Sequence, residues 1–118
     1  MLEARFFCTD KGTEPVREWL KTLTAIDRKA IGEDIRTVQI GWPLGMPLVR
    51  KMDNNLWEVR INLQGRIARV LFTVVDNVMV LLHGFIKKSQ ETPKQELDLA
   101  KTRRNMVRGA MTSLTAAP

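Results

Sequence analysis

Five basic side chains stand in or beside segments of the second half of the sequence that have the pattern of β-strands. They are Arg60, Arg66, Arg69, Lys87 and Lys88. On a small sheet these charges would be crowded, and crowded positive charge is stabilised by a bound anion. Guanidinium groups donate paired hydrogen bonds to phosphate oxygens and stay protonated at neutral pH. The pattern therefore predicts a phosphate-binding site.

The net charge of the chain is concentrated in the same half. Residues 1–49 carry seven basic and seven acidic side chains, whereas residues 50–118 carry twelve basic and six acidic ones, for a total of +6. Such a basic field raises the local concentration of polyanions and speeds their association. Nucleic acid and acidic membrane surfaces are the partners it favours, with ordinary solubility as the alternative.

Groups for proton transfer and metal binding are scarce. His83 is the single histidine and Cys8 the single cysteine, which excludes an intramolecular disulfide and a zinc or iron–sulfur ligand set. We expect no metal and no small-molecule cofactor. A histidine among apolar residues is more often structural than catalytic, but His83 stays a candidate for proton transfer. A lysine is the other candidate, if positive neighbours lower its pKa.

Hydrophobic spacing predicts helices in the first half of the chain. A short strand near residues 5–7 precedes two helices, one opened by Pro15 and the next capped by Thr24, which together form a helical hairpin. The second helix is predicted to end at Gly41. Its predicted buried stripe contains Ile26, Ala30, Ile31, Ile35 and Val38.

Strands and a last helix are predicted for the second half. A brief strand near residues 48–52 precedes two strands of alternating pattern and an apolar strand over residues 78–85. Thr92 is predicted to cap a helix that runs to residue 108. The side chains outside its buried stripe include Lys94, Lys101, Arg103 and Arg108. The result is a single α+β domain over residues 1–108, with 109–118 as a disordered tail.

The two alternating strands read as a hairpin closed by Gln64 and Gly65. A two-residue loop places Arg60 directly opposite Arg69, which is unfavourable unless an anion or a carboxylate lies between them. Glu58 is the structural candidate for that carboxylate. A three-residue loop would instead pair Arg60 with Ala68, so the register stays open here.

No apolar run is long enough to span a bilayer, and the N-terminus has no pattern of a cleavable signal peptide. These features predict a cytoplasmic protein that does not enter a membrane.

Three segments in this order resemble the phage-derived, HigB-like branch of the RelE/ParE toxin superfamily. They are residues 57–60 (WEVR), 65–70 (GRIARV) and 81–93 (LLHGFIKKSQETP). The resemblance implies an α+β, RelE-like fold with a short N-terminal strand, a helical hairpin, an antiparallel sheet and a C-terminal helix. It also implies the toxin of a type II toxin–antitoxin module, a metal-independent endoribonuclease that cuts mRNA on the translating ribosome. The implied partner is an antitoxin with a helix-turn-helix domain.

The same resemblance assigns roles by position. Arg60 and Arg69 match strand residues that face the scissile phosphate, and Lys87 or Lys88 matches a basic residue after the last strand. His83 is the further candidate for proton transfer. Candidates for RNA binding outside the catalytic set are Arg50, Lys51, Arg66 and Lys94.

Two other functions stay open. The ParE side of the superfamily inhibits DNA gyrase without a nuclease site, and a non-enzymatic RNA-binding module would carry a similar basic patch. Cleaved messenger, altered supercoiling, or binding without cleavage distinguishes the three.

Overall fold

The computed structural model describes residues 1–87 and 91–116, with side chains as far as residue 109. Its elements are β1 (Glu3–Phe6), α1 (Pro15–Lys21), α2 (Ala25–Gly41), β2 (Val49–Asp53), β3 (Leu56–Leu63), β4 (Arg66–Val75), β5 (Val78–Lys87) and α3 (Lys94–Ala116). The α+β class is confirmed. So is the order of a strand, a helical hairpin, four strands and a last helix.

The helical hairpin has the predicted caps and most of the predicted core. The Thr24 hydroxyl accepts a hydrogen bond from the backbone N–H of Asp27 (3.2 Å), and α2 ends at Gly41. Ile26 is the exception, because 80% of its surface is exposed although the sequence analysis placed it in the buried stripe. It precedes the buried Ile31 and Ile35 by five and nine residues, spacings that put it on the opposite side of a helix with 3.6 residues per turn.

The five strands form one mixed sheet in the order β1-β5-β4-β3-β2. Neighbours from β2 to β5 pair antiparallel, but β1 runs parallel to β5, with Glu3 beside Val78 and Phe6 beside Leu81. The expectation of an antiparallel sheet is therefore wrong at this edge. Two helices and three strands separate β1 from its partner, so no tight turn determines its direction.

The β3–β4 hairpin has the two-residue turn of the first alternative. Gly65 adopts φ +66°, a left-handed conformation that glycine takes without steric cost. Arg60 pairs with Arg69, and Ala68 pairs with Ile61, which excludes the three-residue loop.

Helices cover both faces of the sheet. α1 and α2 cover one face, where the buried side chains include Val16, Ile31, Val38, Val59, Ile61, Val70, Phe72 and Met79. α3 covers the other face, over Leu56, Leu71, Leu82, Phe85 and Ala100. Since strand side chains alternate, the even-numbered residues of β3 face α3 and the odd-numbered ones face α1 and α2.

Three arginines attach α3 to the sheet. Arg103 donates to the carbonyl of Leu82 (2.8 Å), Arg104 to the carboxylate of Asp53 (2.6 Å) and Arg108 to the carbonyl of Val74 (3.0 Å). The helix extends past residue 108, so the division into a domain and a tail stays a prediction. None of the helices in the described part of the chain has the length and apolar character needed to cross a membrane.

Gly84 on β5 is in close contact with α1. A methyl group at this position would lie 2.4 Å from two ring carbons of Trp19. We expect Gly84→Ala to lower the free energy of unfolding by about 1–3 kcal/mol, because the indole ring has to move. The control is Gly32→Ala on α2, where an added methyl meets nothing within 4 Å. That change should raise stability by about 0.5–1 kcal/mol, and equal stabilities in denaturant titrations would contradict the packing argument.

Arg66 connects β4 to the start of α2. Its guanidinium donates to both carboxylate oxygens of Asp27, at 3.0 and 3.2 Å. These hydrogen bonds hold the pKa of Asp27 below its ordinary value, assisted by the positive charge of Arg66 and by a hydrogen bond to Thr24, while burial acts in the opposite direction. The pair therefore stabilises the fold most above the pKa of the unfolded carboxyl group.

This ion pair predicts a specific loss of stability in acid. As the pH falls from about 5 to about 2, protonation of Asp27 removes the contribution of the pair. Asp27→Asn should be less stable than the unaltered chain at neutral pH, and the difference should shrink as the pH falls. Unfolding titrations across this range provide the measurement. A stability difference that does not depend on pH would exclude the ion pair as its source.

Candidate functional site

The face of the sheet that α3 partly covers carries most of the cations predicted around a phosphate. We call them the basic cluster: Arg50, Arg60, Arg69 and Lys87. Arg60 and Arg69 are register partners on β3 and β4, and Phe85 on β5 pairs with Arg69. Lys87 follows Phe85 at the two-residue spacing that keeps side chains on one face, and Arg50 lies on β2, on the other side of β3.

A buried carboxylate lies among these cations. The side chains of Glu58 and Arg69 have no exposed surface (0% each), and Nη1 of Arg69 lies 3.2 Å from Oε1 of Glu58. The same nitrogen donates to the Thr92 hydroxyl at 2.8 Å, and this hydroxyl donates to the second oxygen of Glu58. Nε of Arg60 lies 4.0 Å from Glu58. Glu58 is thus the carboxylate between the opposed arginines, the structural alternative of the sequence analysis.

Arg69 keeps its charge in this buried position. Burial lowers the pKa of its guanidinium, and the positive charges of Arg60 and Arg50 also lower it, while Glu58 raises it. Because the pKa of arginine starts far above neutrality, the two buried groups form an ion pair. With no exposed surface, Arg69 does not touch a ligand outside the protein in this conformation.

The accessible charge of the cluster comes from its neighbours. Arg50 is exposed, and 17% of the Arg60 side chain is exposed. Arg60 lines a depression of about 210 Å³ together with Pro47, Asn62 and Ile67. Both guanidinium groups can donate to the oxygens of a phosphate that enters from this side.

His83 lies on the same face, as its predicted parity with Phe85 requires. The two rings stack with their centroids 5.7 Å apart. Nε2 of His83 is hydrogen bonded to the Glu96 carboxylate, and Nδ1 lies 3.4 Å from Nη1 of Arg103. Both partners belong to α3, so His83 joins this helix to the sheet. Its role in proton transfer stays a prediction.

Sequence reasoning did not identify Thr92 and Glu96 as partners of these groups. Thr92 was assigned to helix capping, whereas its hydroxyl binds Glu58, 34 residues away. Glu96 lies 13 residues from His83. Neither separation has a local spacing rule, so the sequence carried no signal for these contacts.

The other predicted residues lie elsewhere. Arg66 faces α2, where Asp27 holds it, and Lys51 has the strand parity of the face opposite to Arg50. Lys94 is 89% exposed in the first turn of α3 and forms an ion pair along that helix. Lys88 lies outside the described residues. Across residues 1–87 and 91–109, no three His, Cys, Asp or Glu side chains converge on a position for a metal ion.

Comparison with known proteins identifies a family. The family of Gp49-like phage-derived proteins (DUF891) matches residues 18–105, about three quarters of the 118 residues. No curated protein matches the chain. The matched range contains α2, all of β2 to β5 and the first half of α3. The family is of the RelE toxin type and is associated with the toxins of toxin–antitoxin systems. The chain therefore belongs to the Gp49-like family of phage-derived proteins.

Proposed function

We propose that this chain is the toxin of a type II toxin–antitoxin module, in the HigB-like branch and with a RelE-like fold, and that it cuts mRNA on the translating ribosome. The observation that carries the proposal is the basic cluster, where accessible arginines surround a buried ion pair on one face of the sheet. Membership of a toxin-type family supports the first part. The proposal places the protein in the cytoplasm, where messenger and ribosomes are found.

The proposed reaction is metal-independent cleavage by the RNA itself. The 2′-oxygen of a ribose forms a bond to the adjacent phosphorus, and the bond from phosphorus to the 5′-oxygen of the next nucleotide breaks. One proton leaves the 2′-hydroxyl for a base, and another reaches the 5′-oxygen. The products are a cyclic phosphate and a 5′-hydroxyl end. Negative charge on the phosphorane rises during the step, and fixed cations stabilise it.

The geometry favours a division of roles within the cluster. Arg60 borders the depression and Arg50 is exposed beside it, so we assign them to the phosphate oxygens. Arg69 forms the buried ion pair with Glu58 beneath them. Lys87, at the end of β5, is our candidate for proton transfer to or from RNA, with Lys88 and His83 as the other candidates.

The proposed partner is an antitoxin with a helix-turn-helix domain. A partner that inhibits the toxin has to prevent RNA from reaching Arg50 and Arg60, by covering them or by moving the strands that hold them. An acidic segment suits the first mechanism, because it would satisfy the same donors as a phosphate.

Replacement of the accessible arginines tests the ribonuclease. We expect Arg60→Gln and Arg50→Gln to reduce cleavage of a translated reporter messenger, with Arg60→Gln costing about 10²-fold, because a donor to the phosphorane is lost. Primer extension after induction locates and quantifies the cuts. Arg36→Gln on α2 removes an exposed arginine from the other side of the sheet and should leave cleavage unchanged.

The same induction experiment separates the alternatives. Growth arrest with intact messenger and altered plasmid supercoiling would show gyrase inhibition instead. Messenger that is bound but uncut would indicate a binding module. Equal cleavage by Arg36→Gln and Arg60→Gln would remove Arg60 from the site.

A double replacement tests whether Arg69 acts on the phosphate directly. Arg69→Ala alone should cost about 3–5 kcal/mol of stability, because it leaves the Glu58 charge buried without its partner. The apolar pair Glu58→Leu with Arg69→Met keeps the volume and the net charge, so we expect it to fold and to retain most of the cleavage. Denaturant titration confirms folding before cleavage is measured. A folded but inactive double variant would instead assign Arg69 to the phosphate, as the sequence resemblance implies.

A further inference from the structure

A second polar cavity lies between α3 and the turn that joins β2 to β3, away from the depression at Arg60. Its volume is about 510 Å³, within the range of pockets that bind small molecules. The lining residues are Asp53, Asn54 and Asn55 from the β2–β3 turn and Arg104, Asn105 and Arg108 from α3. Nothing in the proposed cleavage uses them.

Contacts within the protein hold this lining in place. Arg104 donates to the Asp53 carboxylate at 2.6 Å and to the carbonyl of Asn54 at 2.8 Å, and its Nε donates to Oδ1 of Asn105 at 3.0 Å. Hydrogen bonding by Arg104 holds the pKa of Asp53 below its ordinary value, and the positive charge of Lys101 contributes to this shift. The carboxylate is therefore ionised at neutral pH and is a hydrogen-bond acceptor.

The mixture of groups indicates the class of ligand. Because Asp53 balances Arg104, the lining carries one net positive charge, at Arg108, which attracts an anion. Three asparagine side chains offer donors and acceptors together, the combination that pairs with the edges of nucleobases. The Asp53 carboxylate accepts from an exocyclic amino group. The carboxylates of an acidic protein segment accept hydrogen bonds only, so they would leave Asp53 and the amide oxygens without donors, whereas nucleobases supply N–H donors. RNA fits the cavity better than an acidic chain.

The position of the cavity relates it to the basic cluster. β3 leads from the turn at Asn55 to Arg60, a distance of about 17 Å at 3.3 Å per residue. The exposed Arg50 lies between the two on β2, beside Glu58. A single RNA strand can therefore contact both places at once.

We propose that the cavity between the β2–β3 turn and α3 binds one nucleotide of the RNA strand whose scissile phosphate lies at Arg60. This inference rests on the proposed function, since it places the substrate of that site. The base pairs with the asparagine amides and Asp53, and the adjoining phosphate lies against the arginines. The cavity contributes to RNA affinity and to base preference, whereas the bond-breaking step stays at the basic cluster.

The test uses the double variant Asn54→Asp with Asn105→Asp. Aspartate has the same shape as asparagine, and both side chains are exposed. The changes therefore add two negative charges to the cavity and leave the packing unaltered. The control, Lys29→Gln with Arg36→Gln on α2, changes the net charge by the same amount on the opposite side of the sheet. Binding is measured by fluorescence anisotropy with labelled octaribonucleotides whose 2′-hydroxyls are methylated, so that cleavage is blocked.

We expect the cavity variant to bind the octamers at least about fivefold more weakly than the control variant does. With an octamer that lacks its bases, the difference in affinity between the cavity variant and the control variant should be smaller. Neither variant can then make a contact to a base. Equal binding by the two variants would overturn the proposal. The proposal would also be overturned if the cavity variant, and not the control variant, lost binding of labelled polyglutamate while its RNA binding stayed unchanged.

Cleavage of the reporter messenger, measured in parallel, separates this proposal from the proposed function. Octamer binding that depends on the cavity in a chain that cuts no messenger would support the cavity and defeat the ribonuclease. If the chain cuts messenger but its RNA affinity is the same with and without the cavity substitutions, the ribonuclease would be supported and the cavity would be excluded as an RNA site. Failure of the unaltered chain to bind any octamer would overturn the cavity as an RNA site.

Discussion

The ion pair between Glu58 and Arg69 constrains the rest of the structure. Removing two charges from water costs several kcal/mol per ion, and the attraction between them offsets this cost when further hydrogen bonds satisfy their atoms. Thr92 provides such bonds to both partners. The pair therefore requires β3, β4 and the segment before α3 to meet in one arrangement. A slip of β4 by one residue would turn Arg69 away from Glu58 and into the apolar core under α1 and α2.

The binding properties of this face depend on the cations that surround the buried pair. Glu58 lies between the two arginines that meet at the centre of the hairpin, 3.2 Å from Arg69 and 4.0 Å from Arg60, and the side chains of Glu58 and Arg69 have no exposed surface. Around this pair, Arg50 is exposed and Arg60 and Lys87 are partly exposed. The strands fix the backbone at these positions, so the binding of an anion orders the side chains alone. A neutral buried layer beneath an accessible basic rim suits binding of a polyanion from one side.

The sequence predicted those parts of the fold that depend on local rules. The alternation of β3 and β4 and the glycine in their turn predicted a hairpin and left two registers open, one of which, with Arg60 opposite Arg69, is the observed one. It did not predict the direction of β1, because a strand of four residues far from its partner has no turn to orient it. It also placed Ile26 in the buried stripe because this residue is apolar, although its position on the helix points away from Ile31 and Ile35.

The site was harder to predict for a related reason. Its cations were visible as residue types, but the partner of each cation depends on long-range packing. Arg66 and Arg60 look alike in the sequence, yet the first is held by Asp27 on one face of the sheet while the second borders a depression on the other. Arg103 and Arg108 were expected outside the buried stripe of α3, and both reach backbone carbonyls of the sheet. The number of lysines and arginines in the sequence is therefore larger than the number of cations that a ligand can reach.

The way in which α3 crosses the sheet favours a polymer over a small anion as the ligand. The helix covers part of its face and leaves two separate polar openings, one at Arg60 and the other at Arg104. A free phosphate could fill one opening and would gain nothing from the second. A strand that contacts both makes its second contact within a complex already formed, so each contact strengthens the other without further loss of translational freedom. Two separated sites on one face thus favour a ligand long enough to contact both. A single arginine cluster has no such preference.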